Sequence, residues 1–333
     1  GRNAMSVSRT IVGAVAALGI ITGSVSAAEL KLADFQPPTH FVVDKVYKPF
    51  AEKIAKETNG EVTVSVFMGG ELGPGPREQY NRAVDGVTDI AFGLPGYTAS
   101  NFPQTLLTEL PGVISADTGT AQILKNIDML SDEYKRVALV GIWNNAPNVI
   151  FTASKPVRTL EDLKGLKIRV PSRNAGLVVE GWGATPVSMP APDIYNAMQT
   201  GVIDGAMTDA TTLGAFKLAE VTQFITTGME TTISSFFLIM NRDSFGDLSE
   251  DQQKVVLEAG REASVNGNQA WLGIADKALA GFASTNGKEV ITLSAEEAAK
   301  FNAASAPVVD TVIGEAEAAG IKAKAFVDAL KSM

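Results

Sequence analysis

The stretch from Thr159 to Asp209 sets the narrowest limits on what this chain can fold into. Leu166, Ile168 and Val170 alternate with Lys167 and Arg169 until Pro171 stops the run, the pattern of a short strand that ends in a loop. Ala175 to Trp182 follows as an apolar helical segment, with Ser172 or Asn174 placed to cap it. Gly183-Ala184-Thr185-Pro186-Val187 turns into a second strand. Ala191-Pro192-Asp193 then opens a helix over Ile194 to Thr200, and Val202 to Met207 is a third strand that ends at Thr208 and Asp209. Strands that alternate with helices pair in parallel through right-handed crossovers, so three strand ends are aimed at one place. In open α/β sheets that end faces the crevice where small ligands bind. By composition alone Arg169 is a surface strand arginine beside some acid. Its position just before Pro171 makes it instead the first candidate ligand contact, because a guanidinium there can grip a carboxylate through two parallel charge-assisted hydrogen bonds.

The flanking chain repeats this grammar. Glu29 to Ala33 reads as a strand, Phe41 to Thr58 as an amphipathic helix stopped by Asn59-Gly60, and Val62 to Phe67 as the next strand. The glycine-rich run 69–76 lacks the Gly-Lys-Ser/Thr ending of a phosphate loop, so it reads as a tight structural turn. Arg77 to Asp85 is helical and Thr88 to Gly93 a strand, after which Tyr97 either lines a ligand pocket or covers a loop. Thr118 to Met129 is a helix, Ala138 to Trp143 a strand, and Asn144 to Asn148 breaks the pattern where the chain passes between two lobes. The return is expected near Ser234 to Met240. Beyond it Ser249 and Gln252 form a capping box for a helix that continues to Asn286-Gly287, on the order of 50 Å and longer than one lobe needs. Glu289 to Leu293 is a last strand, and Ser294 with Glu297 caps an alanine-rich helical end. No internal repeat or low-complexity tract stands out.

These segments, taken together and at their spacing, resemble the solute-binding proteins of TRAP transporters. The resemblance is carried by the LKGLKIRVP run, by GATPV, by the helix bearing Tyr195 and Met198-Gln199-Thr200-Gly201, and by Val202-Ile203-Asp204-Gly205. Upstream it extends through Val64-Ser65-Val66-Phe67, Gly70-Glu71-Leu72-Gly73 and Gly86-Val87-Thr88-Asp89-Ile90, and so covers essentially the whole mature chain. It implies an α/β, two-lobed periplasmic binding protein fold with hinge strands and a long helix spanning both lobes. The expected division is 29–146 plus 234–273 for lobe I, and 147–233 plus 274–333 for lobe II. The family's carboxylate-clamping arginine falls on Arg169. Further contacts are expected from Gln36, Tyr97, Asn145 and Asn148, and from Phe151, Pro171, Ala191, Thr208 and Asp209. Arg173 is either a second cation for the ligand or a solvated arginine at a helix start.

Departures from the family's sialic-acid-type members narrow the ligand. Those carry a second arginine where this chain has Val149, an aromatic where it has Ala191, and an asparagine where it has Thr208. A single cation, smaller side chains and nearby Tyr97, Trp143 and Phe151 point to a monocarboxylate, whether a hydroxy, sugar or aromatic acid.

Other chemistry has little material. His40 is the one histidine and there is no cysteine, so a histidine- or thiolate-bound metal, a disulfide and a Ser/His/Asp triad with a second histidine are not expected; neither is a cofactor. His40 itself reads as a cap or packing residue, Asp204 as structural, and Asp209 as the acid that faces the cleft. Residues 1–4 precede Met5 and look like a tag remnant. Residues 5–27, with Arg9, an apolar run shorter than the roughly 18 residues of a spanning helix, and Val25-Ser26-Ala27, read as a signal peptide that sends the mature chain to the periplasm. Removing residues 1–27 takes away Arg2 and Arg9 and moves the net charge from −9 to −11, which argues against nucleic acid as a partner. The expected partners are a small organic acid and the small and large TRAP membrane subunits, with the receptor a monomer; the alternatives are an extracytoplasmic enzyme on the same scaffold, with Asp209 or Asp204 as base, and a ligand receptor for a membrane sensor.

Overall fold

The computed structural model describes residues 27–332. The expected leader, residues 5–27, lies outside them apart from Ala27. Among the described residues no helix is long and apolar enough to cross a membrane.

The first lobe begins with β1 (Ala28–Ala33), α1 (Lys48–Glu57), β2 (Val62–Phe67), α2 (Gln79–Asp85) and β3 (Ile90–Gly93), followed by α3 (Gly119–Lys125) and β4 (Val137–Asn144). A π-helical turn, Val43–Tyr47, precedes α1, so the single helix expected over Phe41 to Thr58 starts late and changes pitch. The chain then crosses to β5 (Val149–Thr152), β6 (Lys167–Val170), α4 (Arg173–Gly181), β7 (Thr185–Ser188), α5 (Ile194–Gln199), β8 (Gly205–Thr208), α6 (Thr212–Ala215) and β9 (Phe224–Thr227). It returns as β10 (Ser235–Asn241) and α7 (Arg242–Gly246), enters the long α8 (Glu250–Ala283), and ends through β11 (Glu289–Thr292), α9 (Ala295–Ala318) and α10 (Ala323–Lys331). Two sheets result, in the orders β2-β1-β3-β10-β4 and β11-β9-β5-β8-β6-β7.

The capping residues act where the sequence puts them. Ser172 Oγ accepts the Ala175 N–H at the start of α4, and Ser249 with Gln252 forms a reciprocal capping box on α8. Ser294 caps α9 through the Glu297 N–H. The glycine-rich turn is filled by the Arg82 guanidinium, which donates to the carbonyls of Pro74 and Gly75.

The structure also exposes an internal repeat, which corrects the sequence reading. Both lobes contain a strand–helix–strand–helix–strand unit, ordered β2-β1-β3 in one and β7-β6-β8 in the other. At one constant offset, Tyr80, Asn81, Gly86, Val87, Asp89 and Ala91 match Tyr195, Asn196, Gly201, Val202, Asp204 and Ala206. The matches share roles. Gly86 and Gly201 end their helical segments at φ 75° and 76°, a left-handed conformation in which glycine has no Cβ penalty. Asp89 accepts the Lys31 N–H and Asp204 the Lys167 N–H, each at 2.8 Å, which ties each third strand to its first. The repeat is faint in the sequence because identity is confined to these few scattered positions.

Burial ties the ends of the chain to both lobes. On α8, Val256, Ala259, Ala263 and Trp271 pack in a first-lobe core, whereas Ala275 and Phe282 pack in a second-lobe core. On α9, Ala298 and Phe301 pack against the second lobe, but Val312 and Ala316, with Phe326, Val327 and Leu330 of α10, enter a core with Leu106, Leu107 and Leu130 of the first. The assignment of all of 274–333 to lobe II is therefore revised. At 24 residues, α9 is about 36 Å long and carries the chain back across the boundary.

Candidate functional site

The carboxyl ends of β1 and β3 in one lobe, and of β6 and β8 in the other, converge on a small cavity between the lobes. The register of the repeat shows what differs between its walls. Ala33 faces Ala91 across β1 and β3, and the matching position on β6, facing Ala206, is Arg169. One lobe thus carries the cation and the other an apolar counterpart.

Arg169 is 2% exposed. Its Nε donates to the Met189 carbonyl at 2.8 Å, Nη1 to the Met207 carbonyl at 3.1 Å, and Nη2 to the Tyr97 hydroxyl at 3.3 Å. A guanidinium has five N–H donors, so one remains on each terminal nitrogen for a ligand. Burial lowers its pKa, while Tyr97 and the nearby carboxylates of Asp209 and Asp193 favour the cation. The Tyr97 hydroxyl also accepts the Ala191 N–H at 2.9 Å, so its own proton is available to the cavity.

Asp209 is held on both oxygens. Oδ1 accepts from the Thr211 N–H and hydroxyl, and Oδ2 accepts from Asn145 Nδ2 at 3.0 Å. Burial raises its pKa against the pull of these donors and of Arg169. Asn145 continues into the two crossing segments. Its Nδ2 also donates to Asn148 Oδ1, its Oδ1 accepts the Ser234 N–H, and Asn148 Nδ2 donates to Thr232 Oγ1 and Ser234 Oγ. The strands that join the lobes are thereby linked through hydrogen bonds to the acid in the cavity wall.

Nine of the residues singled out from sequence line this cavity: Gln36, Tyr97, Asn145, Asn148, Arg169, Pro171, Ala191, Thr208 and Asp209. Two do not, and both readings are corrected. Phe151 turns away into a second-lobe core with Ile194, Leu218 and Ile225. Both faces of that central strand are covered, so alternation could not tell core from cleft. Arg173 lies outside the cavity with an exposed side chain paired to Glu315. Trp143 is likewise core, packed against Phe92, Phe236 and Trp271.

The wall that sequence reasoning missed is aromatic: Phe35, Phe216, Phe236 and Trp271, with His40. These come from distant parts of the chain, and only the position of Phe35 two residues beyond β1, matching Pro171 beyond β6, could have flagged one of them. His40 is buried against Phe41 and Trp271, its Nδ1 accepts the Val42 N–H, and burial pushes its pKa down to about 3. It is a neutral wall residue whose ring also ties down the turn before the first helix.

The lobes are closed on each other. Tyr97 reaches Arg169 and Ala191, Arg77 Nη2 donates to the Ser188 carbonyl, and Asn174 Nδ2 to the Leu106 carbonyl. Closest of all is Gly96. A Cβ there would stand 2.9 Å from Ser172 Cβ and 3.0 Å from the Pro171 carbonyl, across the cleft. Gly96→Ala is therefore expected to hold the lobes apart and weaken ligand binding about five- to a hundredfold, since overpacking costs roughly 1–3 kcal/mol. Wild-type affinity in calorimetry would show that closure tolerates the methyl group.

Comparison with known proteins adds the family. A curated solute-binding protein of Albidiferax ferrireducens is 30% identical over 226 residues, 66% of this chain and 66% of that one, about two thirds of its length. Among solved structures, a marine-metagenome TRAP solute-binding protein specific for aromatic acids, in complex with 3-hydroxybenzoate, is 30% identical with a TM-score of 0.85, covering 92% of this chain and 97% of the other. A TRAP periplasmic solute-binding protein of Bordetella bronchiseptica with bound mandelate is 29% identical with a TM-score of 0.82, covering 92% and 98%. Among the described residues no group of three or more His, Cys, Asp or Glu is gathered as for a metal. The family model for bacterial extracellular solute-binding protein, family 7, matches residues 32–315. Two lobes closed over a cavity, with the similarity running through both, leave one conclusion: this chain belongs to the DctP family of TRAP solute-binding proteins.

Proposed function

We propose that this protein is the periplasmic receptor of a TRAP transporter, that it binds a small aromatic monocarboxylate, and that it delivers the closed complex to the membrane subunits. The observation that carries the reading is Arg169, buried and anchored on three sides with one N–H left on each terminal nitrogen. The cavity pairs this cation with Phe35, Phe216, Phe236 and Trp271, a surface suited to a flat ring. Similar proteins with bound 3-hydroxybenzoate and mandelate support the same ligand class. The receptor works as a monomer, without a cofactor and without a chemical step. Arg169 and Asp209 are held by neighbours, and His40 is neutral, so the polar groups of the wall position a ligand. Closure buries the anion and builds the surface that the permease reads.

A thermal-shift screen against aromatic, hydroxy, keto and sugar acids tests this. A ligand at 100 times its dissociation constant adds about 2.7 kcal/mol of stability, a shift of several degrees. Aromatic monocarboxylates should give the largest shifts. A response confined to sugar acids would overturn the ring assignment, and one confined to neutral or zwitterionic solutes the carboxylate assignment.

A further inference from the structure

The first-lobe wall contains two polar groups that the carboxylate grip does not use. Gln36 follows β1 and is 4% exposed. Its backbone N–H donates to Asp34 Oδ1 at 2.8 Å and its Nε2 to Asp34 Oδ2 at 2.9 Å. Tyr47 donates to the same Oδ2 at 2.6 Å. An ionised carboxylate only accepts, so Asp34 fixes which way the Gln36 amide faces. Nitrogen turns to Asp34, and oxygen is what remains for the cavity that Gln36 lines. Among the described residues no hydrogen bond ends on that Oε1.

His40 supplies the opposite polarity four residues on. The Val42 N–H occupies Nδ1, which places the single proton of the neutral ring on Nε2. Among the described residues that N–H has no acceptor, and His40 lines the same cavity. One acceptor and one donor thus stand in one loop, in the lobe opposite Arg169. An ether or ketone oxygen satisfies only the histidine and an amine N–H only the glutamine, whereas a hydroxyl satisfies both.

We propose that Gln36 and His40 together read a hydroxyl on the ligand remote from its carboxylate, with Asp34 as the positioning residue that fixes the glutamine amide. The preferred ligands are then hydroxylated aromatic monocarboxylates. This rests on the aromatic-acid reading above and selects within it. An unpaired buried polar group costs about 1–3 kcal/mol, so a ligand lacking the hydroxyl should bind roughly 10- to 100-fold more weakly.

The test is calorimetry with benzoate, its 3- and 4-hydroxy derivatives, and the methyl ethers of these. In the unsubstituted protein one hydroxy isomer should exceed both benzoate and its own ether by about 10-fold or more. In Gln36→Leu the hydroxyl-over-ether ratio should fall close to one, while the hydroxyl-over-benzoate ratio keeps the part that the His40 N–H supplies. Asp34→Asn leaves Gln36 in place but frees its amide to turn. There the hydroxyl-over-ether ratio should fall as well, a change in selectivity that simple loosening of the loop would not produce. Benzoate binding with no hydroxyl preference, or a hydroxyl-over-ether preference that persists in both variants, overturns the proposal and leaves the aromatic-acid reading intact. Binding of none of these acids overturns both.

Discussion

Arg169→Ala is expected to weaken binding of the cognate acid by at least about a hundredfold, and Arg169→Lys to recover only part of it. Charge-assisted hydrogen bonds contribute about 1.5–3 kcal/mol each, so losing a two-pronged grip removes roughly 3–6 kcal/mol from the 8–12 kcal/mol that micromolar to nanomolar binding needs. The substitution also strands the Met189 and Met207 carbonyls and leaves Asp209 buried without its nearby cation. Lysine keeps the charge, but an ammonium cannot hold two carbonyls and a tyrosine while presenting a planar fork. Some loss of stability should accompany the alanine variant, so affinity must be measured on protein shown to be folded. Unchanged affinity in both variants would remove Arg169 from the site.

Stability should fall by about 2 kcal/mol between pH 6.5 and 8, and Glu109→Gln should flatten that fall. Glu109 is buried, its Oε2 has no partner among the described residues, and burial lifts its carboxyl from 4.5 to about 8 against the pull of the Ser172 hydroxyl. The sign is the reverse of a salt-bridged acid. Above pH 4.5 the unfolded chain releases this proton and the folded chain keeps it, so stability falls with rising pH until about 8, at about 1.4 kcal/mol per unit. Two other buried groups act lower. Asp34, lifted to about 6, has the same sign below that pH. His40, lowered from 6.5 to about 3, has the opposite sign, since its unfolded form gains a proton there first. Denaturant unfolding of both proteins from pH 6.5 to 8 isolates Glu109. An equal slope in Glu109→Gln would mean that its carboxyl ionises normally. Because Ser172 belongs to the opposite lobe from Glu109, the same buried acid sits on the surface that closure forms.

Much of the architecture was legible because it is local. The alternation from Leu166 to Val170, the Ser172 cap, the Ser249–Gln252 box and the break at Asn144 to Asn148 each state their structure within a few residues. Arg169 was legible for the same reason, since a strand end before a proline says which end of the sheet the residue occupies. What stayed hidden depends on contacts between distant segments. Phe151 and Trp143 are aromatic residues near the cleft in sequence, but sheets covered on both faces send their rings into the cores. The true aromatic wall is assembled from four separated segments, and Arg173 lost its ligand reading to an acid on α9, Glu315. An amphipathic helix also does not say which lobe it covers, which is why α10 was misplaced. By itself the sequence determined a two-lobed α/β protein with a cation at a strand end. Only the tertiary structure decided which side chains face that cation, because a cleft between lobes is built from pieces whose sequence neighbours face elsewhere.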